Sequence, residues 1–219
     1  MATQMYDTTI FLTSTNREDM LDNFYNCFST YDTRFTQESG TKYVVFDNRI
    51  KIDVIASSSI RYLDMNDNVI MTAGSFTNRN QTELVRIIIT DHSFYATVCK
   101  DSEWGYTFFI YESSSTITYL ALYLNTNRAL DYSSYIYRFD SAGLLNTSGF
   151  SIVKICGTQL SSPYILFSTT CAIITSAGSV GLLPDFRSCS LVTRYSTVTV
   201  NNKNYLAIGT NTLVEAPAS

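Results

Sequence analysis

Side chains able to do chemistry are sparse in this sequence, and the first question is whether any of them stand together. The only histidine, His92, follows Asp91 in what reads as a tight turn between two strand-like runs. One histidine excludes a multi-histidine metal site and leaves few general-base arrangements. A Cys99–His92 pair would need a third group to orient the base, and no residue is nominated for it. "DMNDN" at 64–68 begins like a calcium loop, with oxygens at Asp64, Asn66 and Asn68. The sixth and twelfth places hold Val69 and Ser75 where glycine and glutamate are required, so the stretch reads as a β-turn rich in Asp and Asn. Two carboxylates could serve glycoside chemistry, and Asp101 and Glu103 stand beside Trp104 and Tyr106 in "CKDSEWGY". That loop is the candidate ligand contact, with the aromatics stacking on a sugar face and the acids solvated. No GxSxG, phosphate loop or GxGxxG is present. The expectation is a protein that is not an enzyme and holds no cofactor and no metal, with a hydrolase as a remote alternative.

The tyrosines call for similar care. Tyr106, Tyr111, Tyr119 and Tyr123 lie on or near adjoining strand-like runs, and Tyr119 and Tyr123 share a face of a regular strand. A row of this kind is ordinarily cross-strand packing with hydroxyls at the wet edge.

These residues must be positioned by β-structure. One helix is signalled: Thr15 to Glu18 reads as a capping box, and Met20, Leu21, Phe24, Cys27, Phe28 and Tyr31 follow at helical spacing. The spacing predicts a helix over 16–30 with its apolar stripe on a sheet. The period then changes to two. "KYVVFD", "RIKIDVIA", "IRYLD", "NVIMTAG", "ELVRIIIT", "SFYATVC", "GYTFFIYE" and "TITYLALYL" are separated by short turns, the pattern of an antiparallel meander. "YIYRF", "FSIVKIC", "YILFS", "CAIIT" and "SLVTRY" read as further strands. The chain ends on a hairpin, "STVTVNNKNYLAIG", turning at Asn201–Asn202. The fold class expected is mainly β, an antiparallel meander or sandwich with one N-terminal α-helix packed on the sheet. The parts are 1–124, helix plus meander, and 125–219, β-rich, ending in the hairpin and packed on the same body.

With 219 residues the chain can bury a full core without staples. Its five cysteines are isolated in sequence and read as reduced thiols, mostly buried. The start, "MATQMYDTTIFLTSTNRED", lacks the basic and apolar segments of a signal peptide, and no apolar run is long enough for a membrane helix. The net charge of −4 with scattered basic residues argues against nucleic acid as a partner. Charged residues make up 16% of the chain, below the roughly 25% of ordinary soluble domains. The shortage is concentrated: residues 113–219 carry four acidic and six basic side chains, ten charges in 107 residues. The chain also holds 16 tyrosines and 13 phenylalanines. Surface covered by neighbours loses Lys, Glu and Asp and gains aromatics, so this composition points to an assembled protein.

The capped helix, "IRYLDMNDNVIM", "VRIIITDHSFYATV", "GYTFFIYESSSTITYLALYL" and "VTVNNKNYLAIGTNTLV" together resemble small β-rich virion proteins of tailed bacteriophages and prophages of Gram-positive and gut bacteria. The resemblance covers about the first 125 residues and the last 20. It implies a non-enzymatic component of the tail, neck or host-attachment apparatus, located in the virion and assembled in the host cytoplasm. Its partners would be other virion proteins and copies of itself; the alternative is a receptor- or glycan-binding module reaching a cell-surface glycan through aromatic loops. The terminal hairpin then either closes the core or offers an edge to a neighbour. In the second case Tyr205, Leu206, Ile208 and Leu213 are the candidate subunit contacts, and removing 196–219 disturbs assembly more than folding.

Overall fold

The computed structural model describes residues 3–13, 16–55, 59–75, 80–99, 105–112, 114, 118–123, 135–140, 143–144, 151–154, 171–175, 180–183, 186–188, 193, 195–200, 202–208 and 212–216. Strand β1 (Gln4–Leu12) leads into helix α1 (Arg17–Ser29). Short strands follow: β2 (Phe35–Gln37), β3 (Val44–Phe46), β4 (Ile50–Val54), β5 (Ser59–Leu63) and β6 (Val69–Ser75). Next come β7 (Gln81–Ile89), β8 (Ser93–Val98), β9 (Tyr106–Glu112), β10 (Thr118–Tyr123), β11 (Tyr135–Asp140) and β12 (Gly143–Leu144). The chain continues through β13 (Ser151–Lys154), β14 (Cys171–Thr175), β15 (Val180–Leu183), β16 (Phe186–Ser188), β17 (Thr197–Val200), β18 (Lys203–Ala207) and β19 (Thr212–Glu215).

The strands form three antiparallel sheets, as the period-two pattern predicts. The largest has ten strands in the order β1-β7-β8-β9-β10-β11-β13-β14-β15, with β12 paired to β11. It runs across residue 125, since Thr118–Leu120 pair with Tyr137–Phe139. A five-stranded meander, β2 to β6, makes the second sheet, and β16-β19-β18-β17 the third. The run "YILFS" lies outside the described residues; Thr193 and Tyr195 of "SLVTRY" are described and neither is in a strand.

Helix α1 has the predicted stripe, with Met20, Leu21, Phe24, Cys27 and Phe28 buried, and Tyr31 stacked on Tyr6 at 4.5 Å. Its cap differs from expectation. Asn16, in extended conformation, is the cap residue, and its side chain accepts a hydrogen bond from the Glu18 amide at 2.9 Å. Thr15, the expected cap, lies outside the described residues. Asparagine satisfies an orphan amide of the first turn as well as threonine does.

The stripe meets both larger sheets. Phe24 and Phe28 of the helix, Phe35 and Phe46 of the five-stranded sheet, and Phe94 and Phe108 of the ten-stranded sheet form one aromatic cluster. Ring centroids are 4.5 Å apart for Phe35–Phe94, 5.0 Å for Phe28–Phe94 and 5.3 Å for Phe24–Phe108, each edge-to-face. Ile50, Ile52 and Val54 fill in beside them from β4. On the outer side of β4, Asp53 is 1% exposed and is held by Arg17 at 2.6 Å and Arg61 at 2.7 Å. Lys51 reaches Asp67 at 2.7 Å and Glu38 at 3.2 Å. Buried charges persist only when paired in this way.

The opposite face of the ten-stranded sheet is covered as well. Alternate residues of β8 and β9, namely Tyr95, Thr97, Thr107, Phe109 and Tyr111, are buried away from the helix. The Tyr95 hydroxyl donates to the Ile208 carbonyl at 3.0 Å and accepts from Thr97 Oγ1 at 3.1 Å. Arg86 lies over the Tyr195 ring at 4.3 Å. The third sheet is thus a further layer.

Candidate functional site

Of the candidate ligand contacts, Asp101, Glu103 and Trp104 lie outside the described residues. Tyr106 is described, and its position corrects the expectation. It opens β9 on the face of Phe108 and Ile110, is 1% exposed, and belongs to the core. A ligand cannot reach that ring, because strand alternation directs it toward the helix. His92 sits in the β7–β8 turn as read, exposed, with its ring 6.2 Å from Tyr111. Cys99 is buried at the far end of β8, on the order of 20 Å away at the rise of a strand, so no Cys–His pair forms. Cys27 is a free, buried thiol, and burial pushes its pKa up to about 12.

Asp64 behaves as the turn reading requires. Its carboxylate accepts from the amides of Asn66 and Asn68 and from the Asn68 side chain, each at 2.8 Å. Burial would raise its pKa, but these donors and Lys51 outweigh burial and hold it below the usual range.

The candidate subunit contacts are also relocated. Tyr205, Leu206, Ile208 and Leu213 are all buried within the chain. Strands β18 and β19 are each flanked by two neighbours, so neither is an edge; among the described residues the edges of that sheet are β16 and β17. Strand β18 of the hairpin is thus internal, while its partner β17 stands at the sheet's edge.

Sequence reasoning passed over two features. The first is a polar cluster where the ten-stranded and five-stranded sheets meet. Arg34 forms a two-pronged pair with Asp32, Nη2 to Oδ2 at 2.8 Å and Nε to Oδ1 at 3.0 Å, and donates to the Ser93 carbonyl at 3.0 Å. Glu112 stands 3.4 Å from Arg34 and 3.5 Å from Arg49, which lies 3.5 Å from Asp47. Burial first, and then the neighbouring Asp47 carboxyl, push the Glu112 pKa up to about 7 against the pull of Arg49 and Arg34. Arg34 and Glu112 are 78 residues apart, and no spacing rule announces such a contact.

The second is β1. "QMYDTTIFL" alternates strictly: Tyr6, Thr8, Ile10 and Leu12 face the helix, while Met5, Asp7, Thr9 and Phe11 face outward. It ends the ten-stranded sheet, and among the described residues nothing pairs with its outer side. Met5 is 37%, Phe11 46% and Leu84, beside it on β7, 44% exposed. Asp7, held by Arg86 at 2.6 Å, is its one charged residue. Next to the edge, residues 8–11, the helix residues Asn23, Asn26 and Cys27, and Thr30 and Tyr31 just past the helix line a groove of about 270 Å³. Asn23 crosses it to donate to the Phe11 carbonyl at 2.9 Å.

Among the described residues no three side chains are grouped to hold a metal ion. Comparisons with protein-family models, curated proteins and solved structures give no match.

Proposed function

We propose that the chain is a non-enzymatic structural component of a phage particle, in the tail, neck or attachment apparatus, working through contacts with other virion proteins and with copies of itself. The observation that carries this reading is the β1 edge: nine residues long, with one charge and an outer face bearing exposed Met5 and Phe11. Lone soluble proteins blunt such an edge with lysine, proline, a bulge or a covering loop, because it templates pairing with another chain. In an assembled protein that pairing is the working contact. The low charge of residues 113–219 agrees, since surfaces covered by partners shed Lys, Glu and Asp.

Mass spectrometry of particles purified from a host carrying the gene tests this reading. The expected result is the protein in fixed stoichiometry with the other particle proteins, and loss of complete particles when the gene is deleted. Complete, infectious particles formed without it would overturn the reading.

A further inference from the structure

The direction of each amide along β1 follows from its neighbours. The Thr90 amide donates to the Ser93 carbonyl at 3.1 Å, so these two residues form a hydrogen-bonded pair closing the β7–β8 hairpin. Bonded and non-bonded pairs alternate along an antiparallel ladder. Even-numbered residues of β7 therefore bond to β8, and odd-numbered ones bond to β1. Their β1 partners are Gln4, Tyr6, Thr8, Ile10 and Leu12. The backbone groups of Met5, Thr9 and Phe11 consequently point to the outer edge. The hydrogen bond from Asn23 to the Phe11 carbonyl, coming from the helix side, agrees with this.

We propose that the occupant of this edge is a second copy of the same strand, paired antiparallel about a two-fold axis at Thr8, so that two ten-stranded sheets become one. This rests on the reading of the chain as a component that contacts its own copies, and it names the contact. The register follows from the side chains. With the axis at Thr8, Met5 lies opposite Phe11 of the other copy, and Asp7 lies opposite Thr9. Moving the axis to Asp7 would set two carboxylates face to face, which is destabilising. Within each copy Met5 pairs with buried Ile88 and Phe11 with Thr82. Across the joint a row on the outer face then reads Thr82, Phe11, Met5, Ile88, so both exposed apolar side chains gain an apolar neighbour. The hydrogen-bonded pairs would be the odd-numbered ones, matching the amides already turned outward. The Phe11 carbonyl can keep its bond to Asn23, because a carbonyl oxygen accepts two.

Sedimentation of the full chain over a concentration series is the test, with Thr9→Pro and Phe11→Lys beside it. Proline at 9 removes an amide that β7 does not use, so it spares the internal ladder while blocking the joint. Lysine at 11 replaces a side chain that is 46% exposed, so folding is spared. The expected result is a species of twice the 24.6 kDa chain mass, monomeric in Thr9→Pro and weakened roughly tenfold or more in Phe11→Lys, with circular dichroism unchanged in both. Hydrogen exchange on the unmodified protein supplies a measurement that needs no variant: the Met5 and Thr9 amides should slow as concentration rises. The pairing is overturned by a chain monomeric at every concentration, by a dimer that both variants leave intact, or by Met5 and Thr9 amides unprotected in the dimer. None of these bears on particle composition, which decides the structural role separately.

Discussion

Charged side chains in this protein are few, and several are placed where charge is costly. Asp53 is tolerated because two guanidiniums hold its two oxygens separately, Arg17 on Oδ1 and Arg61 on Oδ2. Glu112 has no such arrangement. Its side chain is 13% exposed, its two arginine neighbours stand at 3.4 and 3.5 Å, and no hydrogen bond reaches Oε1 among the described residues. Folding therefore raises its pKa from 4.5 to about 7. The sign follows from proton counting. Below pH 4.5 both states hold the proton, and Glu112 imposes no penalty. Between 4.5 and about 7 the unfolded chain releases the proton while the folded one retains it, so stability falls as pH rises through that window. Glu112→Gln removes the titration. Its melting temperature should match that of the unmodified protein near the bottom of the window. Above the window it should exceed it, by an advantage on the order of 1 kcal/mol after solvent screening. A melting difference independent of pH would show that the carboxylate is ionised in the fold.

At the scale of elements, the helix is the joint between layers. Phe24 and Phe28 touch rings from both larger sheets, and Phe24 is 0% exposed. Phe24→Asp would place an unpaired carboxylate in that contact, costing several kcal/mol or forcing its protonation. Cooperative thermal unfolding should then be lost or its midpoint lowered by roughly 10–20 °C, and an unchanged transition would mean the stripe does not hold the layers together. This helix was legible because apolar residues recurred at helical spacing, and its cap was misread by one residue because Thr15 and Asn16 are both good caps. Most meander strands were legible from period-two runs bounded by Asp and Asn. Strand β1 was equally regular, but its stretch drew attention only as a place for a targeting signal. The clearest overlooked sign was "YTFFIY" in β9, nearly continuous in apolar residues. Such a strand is covered on both faces, and that density called for cover over Phe109 and Tyr111 as well as over Phe108 and Ile110. The Arg34–Glu112 cluster had no local sign, since its members meet only through tertiary folding.

For the whole molecule, the third sheet decides between two consequences of one truncation. The hairpin read as an offered edge predicts that removing 196–219 breaks assembly and leaves the fold. Burial of much of this segment argues for the opposite outcome. Residues 196–219 include β17, β18 and β19 and carry the buried Leu206, Ile208 and Val214; Ile208, just past β18, supplies the carbonyl that the Tyr95 hydroxyl bonds. Without them Tyr95 loses the partner of its buried hydroxyl. Large side chains stabilise by about 1.5–3 kcal/mol each when buried, and a domain of this kind has a margin of roughly 5–15 kcal/mol. Leu206, Ile208 and Val214 lost together with the anchor of Tyr95 take away an amount comparable to that margin. The truncated chain should therefore bind an apolar dye, aggregate, and melt without a cooperative transition. Thr9→Pro, at the opposite edge, should melt cooperatively as a monomer. The two variants thus separate folding from assembly. A truncated chain that stays soluble and unfolds cooperatively would mean that the third sheet is an appendage and that the ten-stranded sheet is stable with one face bare.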